Sequence, residues 1–298
     1  MKKIASILML ILLGGLLWYL FIKPYDYLVS FKAKTFPGTI NQVIKTWNTS
    51  FPDAKRVEQD GLERLKQQIV FGDSVHIYKW KIIPLNDSLS RVKVYVKDKD
   101  NSFMNKVSIP FSTTDFEKRT KKTLVSFHEK LNEHIGNFRV SISGESQTAT
   151  TYCAYIPLKG VQIEKARGMM RNYTFISNFL AENKVKLNGK PFVEVTRWDM
   201  EKDSIEYNFC YPIIKSDSLP EHELLHYKQM EGKKALKAVY NGNYITSDRA
   251  WYALLDYAEK NGIEVDHTPL EVFYSNPNIG GNELEWKAEV FIPIKELQ

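Results

Sequence analysis

The sequence predicts an α+β protein in three parts. Three observations predict it: an uncharged apolar run, a strand-rich stretch closed by one long amphipathic helix, and a remainder that repeats one strand-helix-strand-strand pattern twice. At 298 residues the chain suits two domains with an appendage. With 43% hydrophobic and 26% charged residues, it lies far from the low-hydrophobicity, high-charge mixtures that stay disordered.

The apolar run extends from Ile4 to Ile22, 19 residues between Lys3 and Lys23. At about 1.5 Å of helical rise per residue it matches the ~30 Å hydrocarbon core of a bilayer. It ends in Leu16-Leu17-Trp18-Tyr19-Leu20-Phe21-Ile22-Lys23-Pro24, bulky where a cleaved leader carries small residues. Residues 1–24 therefore read as an uncleaved single-span membrane anchor, inserted through residues 4–22. Trp18 and Tyr19 fall near an interface, as aromatic belts do. The signal-like start favours an extracytoplasmic globular part.

Residues 25–137 form the next part. Tyr27 to Thr35 alternates like a strand, and a short helix passes through Ile44 and Trp47. Gln67 to Phe71, Val75 to Pro84 and Leu89 to Lys97 read as a meander, with turns at Gly72-Asp73 and Asn86-Asp87. Thr113-Thr114-Asp115 caps a helix whose apolar residues Phe116, Leu124, Phe127, Leu131 and Ile135 recur at helical spacing until Gly136. This order of strand, short helix, meander and closing helix resembles the SRPBCC or START-like helix-grip fold. The resemblance implies a curved sheet wrapped around that helix, with an apolar cavity between them.

Residues 138–298 carry the repeat, as copies of about 138–215 and 216–298. The first closes on Ile205-Glu206-Tyr207-Asn208-Phe209-Cys210-Tyr211-Pro212-Ile213, the second on Trp286-Lys287-Ala288-Glu289-Val290-Phe291-Ile292-Pro293-Ile294. Asn183 and Asn261 are 78 residues apart, as are Pro191 and Pro269, whereas Pro212 and Pro293 are 81 apart. Three extra residues thus belong in the last hairpin of the second copy, in the loop Asn276-Pro277-Asn278-Ile279-Gly280-Gly281. The second copy has a strand, Gly242 followed by an aromatic, a helix through Trp251 and Leu254 ending at Asn261-Gly262, a Pro269-led strand, and the closing strand. That pattern is similar to the GyrI-like, or AraC-type effector-binding, domain. The resemblance implies a small-molecule pocket between the copies.

Glu289 is the foremost candidate within that pocket. Strand alternation places Lys287, Glu289, Phe291 and Pro293 on one face and Trp286, Ala288, Val290 and Ile292 on the other. The resemblance implies a pocket role for an acid at this position. An unpaired buried carboxylate is costly, so a cation or hydrogen-bonding ligand accounts for it, as does a solvent-facing edge position. Asn208 stands at the matching place, which leaves the charge to the second copy alone. Tyr152, Tyr155, Tyr173, Trp198, Tyr240, Tyr244, Trp251 and Tyr274 cluster around the seam, and their faces suit a hydrophobic ligand, cationic ones included. The chain thus reads as a membrane-anchored small-molecule binder or sensor. A hydrolase using Glu289 as general base is the alternative, and a non-catalytic interaction scaffold the third.

Other chemistries find little support. The net charge of +6 is spread among acids, and no DNA-binding helix pair precedes the repeat, so nucleic acid is not an expected partner. No phosphate loop, nucleophile elbow or CxxC pair occurs, and no cofactor is expected. His222-Glu223-Leu224-Leu225-His226 spells H-E-x-x-H, but Pro220 precedes it and the repeat register predicts an extended segment. No metal site is expected there. Cys153 and Cys210 fall on predicted strands, either as free buried thiols or as a pair.

Overall fold

A computed structural model describes residues 2–86 and 88–296. The chain divides into two compact units, Met1–His134 and Ile135–Gln298. Both hold antiparallel sheets with helices, an α+β architecture.

The first unit begins with helix α1 (Lys2–Leu17), continued by one wider helical turn at Trp18–Ile22. The stretch Lys3–Ile22 is long and apolar enough to cross a membrane, with a mean hydropathy of 2.4. A sheet follows, built from β1 (Tyr27–Ala33), β2 (Glu58–Asp60), β3 (Arg64–Phe71), β4 (Ser74–Asn86) and β5 (Leu89–Asp98) in the order β1-β5-β4-β3-β2. The expected meander is present. Of its Asn86-Asp87 turn, Asp87 lies outside the described residues.

Alternation along these strands buries one face: Leu65, Gln67 and Ile69 on β3, Tyr78, Trp80 and Ile82 on β4, and Val92, Val94 and Val96 on β5. Helix α2 (Pro37–Asn48) and helix α4 (Asp115–Gly136) cover it, and a short helix α3 (Ser102–Ser108) lies between them in sequence. Pro37 sits in the first turn of α2, where its missing N–H costs nothing. The Thr114 hydroxyl accepts the Glu117 N–H at 3.1 Å, which caps α4. The ring of Phe127 lies 5.2 Å from Trp47 and 4.7 Å from Trp80. Gln67 joins the two helix-facing layers, donating to Asn48 Oδ1 at 2.9 Å and accepting from Trp80 Nε1 at 3.2 Å. The buried Gln67 side chain thus has a partner for both its donor and its acceptor, as burial favours.

The second unit contains β6 (Phe138–Gln147), β7 (Thr151–Val161), α5 (Lys165–Glu182), β8 (Phe192–Asp199), β9 (Ser204–Pro212), β10 (His226–Met230), β11 (Lys234–Gly242), α6 (Arg249–Lys260), β12 (Leu270–Phe273) and β13 (Lys287–Pro293). One eight-stranded sheet runs β10-β7-β9-β8-β12-β13-β11-β6. The copies meet at β8 and β12, and their bonds there are reciprocal: Val195 N–H donates to Pro269 O at 2.9 Å, and Phe273 N–H to Pro191 O at 3.0 Å. Both pairs obey the 78-residue register. So do the helix ends, where Asn183 Nδ2 donates to Phe179 O and Asn261 Nδ2 to Tyr257 O, each at 2.8 Å.

The leading strands are exchanged. Strand β6 opens the first copy but pairs with β11 of the second, while β10 opens the second and pairs with β7 of the first. The two extra helical turns, Pro277–Ile279 and Glu283–Glu285, occupy the last hairpin, where the insertion is expected. Gly242 has φ +150°, and a Cβ there would meet Tyr240 Oη at 2.6 Å and Phe138 Cβ at 2.9 Å. Only glycine fits that approach.

Candidate functional site

Alternation divides the eight-stranded sheet into a helix-covered face and an open face. On β13, Ala288, Val290 and Ile292 are fully buried beneath α6, and Lys287, Glu289 and Phe291 point the other way. A cleft of about 370 Å³ opens on this second face, lined by Phe192, Leu270, Val272, Tyr274, Glu289 and Phe291, with Lys190 and Lys237 beside them. Its lining is largely apolar, and Lys237 and Glu289 within it are paired with each other.

Glu289 is not an unpaired carboxylate. Lys287 Nζ lies 2.9 Å from Oε1, Lys237 Nζ lies 3.0 Å from Oε2, and the Tyr274 hydroxyl donates to Oε2 at 3.0 Å. Partial burial raises its pKa, but the hydrogen bonds from Lys287, Lys237 and Tyr274 outweigh this and hold it below the usual carboxylate range. Tyr274 responds oppositely: burial and the bond to Glu289 push its hydroxyl up.

The first copy carries a charge as well, in a place its sequence did not single out. Asn208 faces Glu194 directly across β9 and β8, as Glu289 faces Val272 across β13 and β12. Asn208 Nδ2 donates to Glu194 Oε2 at 2.7 Å, and Lys228 is bonded to the same oxygen. Each copy thus has one lysine-paired acid in the same cross-strand pair, on opposite strands of it. The expectation that only the second copy is charged fails because the first copy carries its acid on β8, the strand that pairs with its last strand: Glu194 stands 78 residues before Val272.

The seam on the helix-covered face is filled by side chains. Trp198 packs against Trp251 at 5.0 Å and Tyr252 at 5.4 Å, and its Nε1 donates to Gln162 Oε1 at 2.9 Å. Lys165 and Glu271 form a wholly buried ion pair beneath Trp251. Tyr240 is buried with its hydroxyl donating to Asn243 O at 2.9 Å, and the Tyr244 hydroxyl donates to Lys287 O at 2.7 Å. Tyr173 lies 6.5 Å from Tyr211. Tyr152 and Tyr155 sit beneath Lys215 and Lys228 respectively. Of the nine residues singled out, the structure brings Glu289 and Tyr274 together in the cleft and distributes the others elsewhere.

The H-E-x-x-H segment is a turn, closed by Leu225 N–H donating to His222 O at 3.2 Å, and β10 starts at His226. The two imidazoles face different partners: His222 lies 4.9 Å from the Phe175 ring and His226 5.6 Å from that of Tyr155. Among the described residues no group of three or more His, Cys, Asp or Glu could hold a metal ion. Cys153 and Cys210 are free and buried on neighbouring strands, staggered so that Cys153 faces Pro212 and Cys210 faces Tyr155.

Residues 151–295 match the family described as the GyrI-like small molecule binding domain. These residues form a GyrI-like small-molecule binding domain. The open-face cleft lies within the matched residues apart from Ser146 to Thr150 at its rim. Among solved structures, the chain is similar to the EcmrR C-terminal domain, with a TM-score of 0.44 and 13% identity over 54% of this chain and 99% of that one. It is also similar to SAV2435 bound to tetraphenylphosphonium, with a TM-score of 0.38 and 10% identity over 52% and 94% of the two chains. A hydrolase encoded by lin2189 from Listeria innocua aligns with a TM-score of 0.34 and 10% identity over 57% and 98%. No curated protein sequence matches the chain.

Proposed function

We propose that the chain is a membrane-anchored protein whose GyrI-like domain binds a hydrophobic small molecule in the open-face cleft. The supporting observation is the pairing of an apolar lining, Phe192, Leu270, Val272 and Phe291, with the Glu289 cluster. Apolar walls with a few convergent polar groups are the usual composition of ligand sites. The lysines favour a ligand with an acidic or accepting polar group, because Lys190 and Lys237 in the lining and Lys287 beside Glu289 outnumber that one acid. A cation would have to displace a lysine from the carboxylate before binding it.

The hydrolase alternative requires Glu289 as a base. Its partners hold it ionised and weakly basic, which supports binding without turnover. The anchor reading is supported by the length and hydropathy of Lys3–Ile22, and it retains the extracytoplasmic placement expected for the globular part. In the first unit the START-like reading rests on element order, and the space between sheet and α4 is occupied by Trp47, Trp80 and Phe127. We therefore place the ligand in the second unit.

Thermal shift of the full chain in lipid nanodiscs, with tetraphenylborate and tetraphenylphosphonium as probes of matched shape and opposite charge, tests this reading. Both are expected to stabilise the protein, tetraphenylborate more, and Val272→Asp should abolish both shifts. Shifts unaffected by Val272→Asp would place binding elsewhere, and a larger shift with the phosphonium would reverse the charge preference.

A further inference from the structure

Helix α3 has its polarity inverted. Asn105 and Lys106 are buried, whereas Phe103, Met104 and Val107 are 48%, 61% and 38% exposed, and Phe111 just beyond the helix is 88% exposed. In water such an arrangement is unfavourable twice over, since it exposes apolar area and buries an ammonium. The segment from Asn101 to Phe111 contains no acid, and its one charge, Lys106, is turned inward.

Among the inward groups, Lys106 joins α3 to the end of the apolar helix, while Asn105 and Ser102 tie it to Asp98 of β5 and to Asp26. Lys106 Nζ donates to Leu20 O at 3.3 Å and to Lys23 O at 2.5 Å, taking up carbonyls that the helix end leaves open. Asn105 Nδ2 donates to Asp98 Oδ2 at 3.4 Å, and Ser102 Oγ to Asp26 Oδ1 at 2.5 Å. The ring of Phe103 packs tilted against that of Phe21, centroids 5.7 Å apart. The outward apolar surface is thereby continuous with the last turn of the Lys3–Ile22 stretch, where exposed Trp18 and Phe21 also lie.

We propose that α3 and the following Ile109-Pro110-Phe111 segment form a second membrane contact, lying flat in the interfacial layer where the spanning helix emerges. The proposal rests on the reading of Lys3–Ile22 as a membrane span. It adds that the first unit is seated on the bilayer through Phe103, Met104, Val107 and Phe111. An interface of headgroups and upper acyl chains accepts this surface because it buries aromatic and aliphatic side chains at shallow depth. Fixing Lys106 on the backbone of the emerging helix holds the two contacts at one level.

Site-specific depth measurement on the full chain tests this. Single cysteines are introduced by Leu12→Cys, Met104→Cys, Phe111→Cys and Asp73→Cys, labelled with bimane, and the chain is reconstituted into phosphatidylcholine vesicles containing lipid brominated near the headgroup end of its chains. Cys153 and Cys210 are buried, and the unsubstituted chain gives their background. The labels at positions 104 and 111 are expected to lose fluorescence about two-fold or more, as shallow insertion implies, with the label at 73 unaffected. Quenching of a label at 12 by lipid brominated deep in the chains, together with unquenched labels at 104 and 111, overturns the docking while leaving the span intact. An unquenched label at 12 overturns the span and the docking with it.

Discussion

Lys165 and Glu271 form an ion pair with no solvent exposure, the ammonium 2.5 Å from both carboxylate oxygens. Lys165 opens α5 of the first copy and Glu271 lies on β12 of the second, so the pair spans the duplication. Ser247 accepts from Lys165 at 2.8 Å and donates to Glu271 at 2.9 Å, and the Trp251 ring lies 4.6 Å from the ammonium. Every neighbour thus answers one charge or the other.

The first prediction concerns this pair. Removing one partner leaves the other buried and uncompensated, at a cost of about 3–5 kcal/mol, whereas replacing both by apolar groups restores most of it. Glu271→Leu and Lys165→Met are each expected to lower the urea midpoint of the second unit, and the double variant to recover most of the loss. Additive single effects would mean that the pair is not coupled. Measured unfolding of all three variants decides between these outcomes.

The second prediction follows from the exchanged leading strands. Separated halves 135–215 and 216–298 leave β6 without β11 and β10 without β7, so each exposes an apolar strand edge. Neither half is expected to give dispersed amide resonances alone, and mixing should restore them. A half that folds in isolation would show that the exchange is dispensable.

The repeat register was legible because it is carried by residues with fixed backbone roles. Asn183 and Asn261 end helices, and Pro191 and Pro269 supply the carbonyls that cross the seam. The exchange of β6 and β10 was not legible, since strand pairing depends on partners far along the chain rather than on local pattern. Helix α3 was not legible because amphipathic patterning implies apolar-in, and its polarity runs the other way. At the site, alternation put Glu289 on one face of its strand, while Tyr274 was only one of eight aromatics expected around the seam. Lys287 shares that face by the same alternation, but Lys237 was not legible as a partner, because it comes from β11, a strand with no sequence tie to β13 beyond the register that pairs them.

The third prediction is a pH dependence in the first unit. Burial lowers the pKa of His76 to about 4, with Asp98 raising it and Arg119 lowering it further. The unfolded value is about 6.5, so the unfolded chain binds the extra proton between those limits. The contribution is complete above pH 6.5 and is lost as pH falls towards 4, by about 3 kcal/mol in all. The His76→Gln variant is expected to show a flatter stability profile than the parent chain across that window. Parallel profiles would mean that carboxylates, not His76, set the slope.

The last prediction separates the two acids of the open face. Glu289 holds Lys237 and Lys287 within about one hydrogen bond of the cleft, and Glu194 holds Lys228 outside its lining. Glu289→Gln frees two ammonium groups beside the cleft proposed for the ligand, so tetraphenylborate should bind on the order of three- to ten-fold more tightly, equal to about 1 kcal/mol. Tetraphenylphosphonium should weaken in proportion. Both changes should shrink as salt is raised towards 1 M, since these groups are partly exposed and screened there. Glu194→Gln removes a charge of the same sign from the same cross-strand pair of the other copy, and it should leave both probes unchanged. Equal effects from the two variants would trace the response to the charge of the whole sheet face, whereas an effect confined to Glu289→Gln ties it to the cleft.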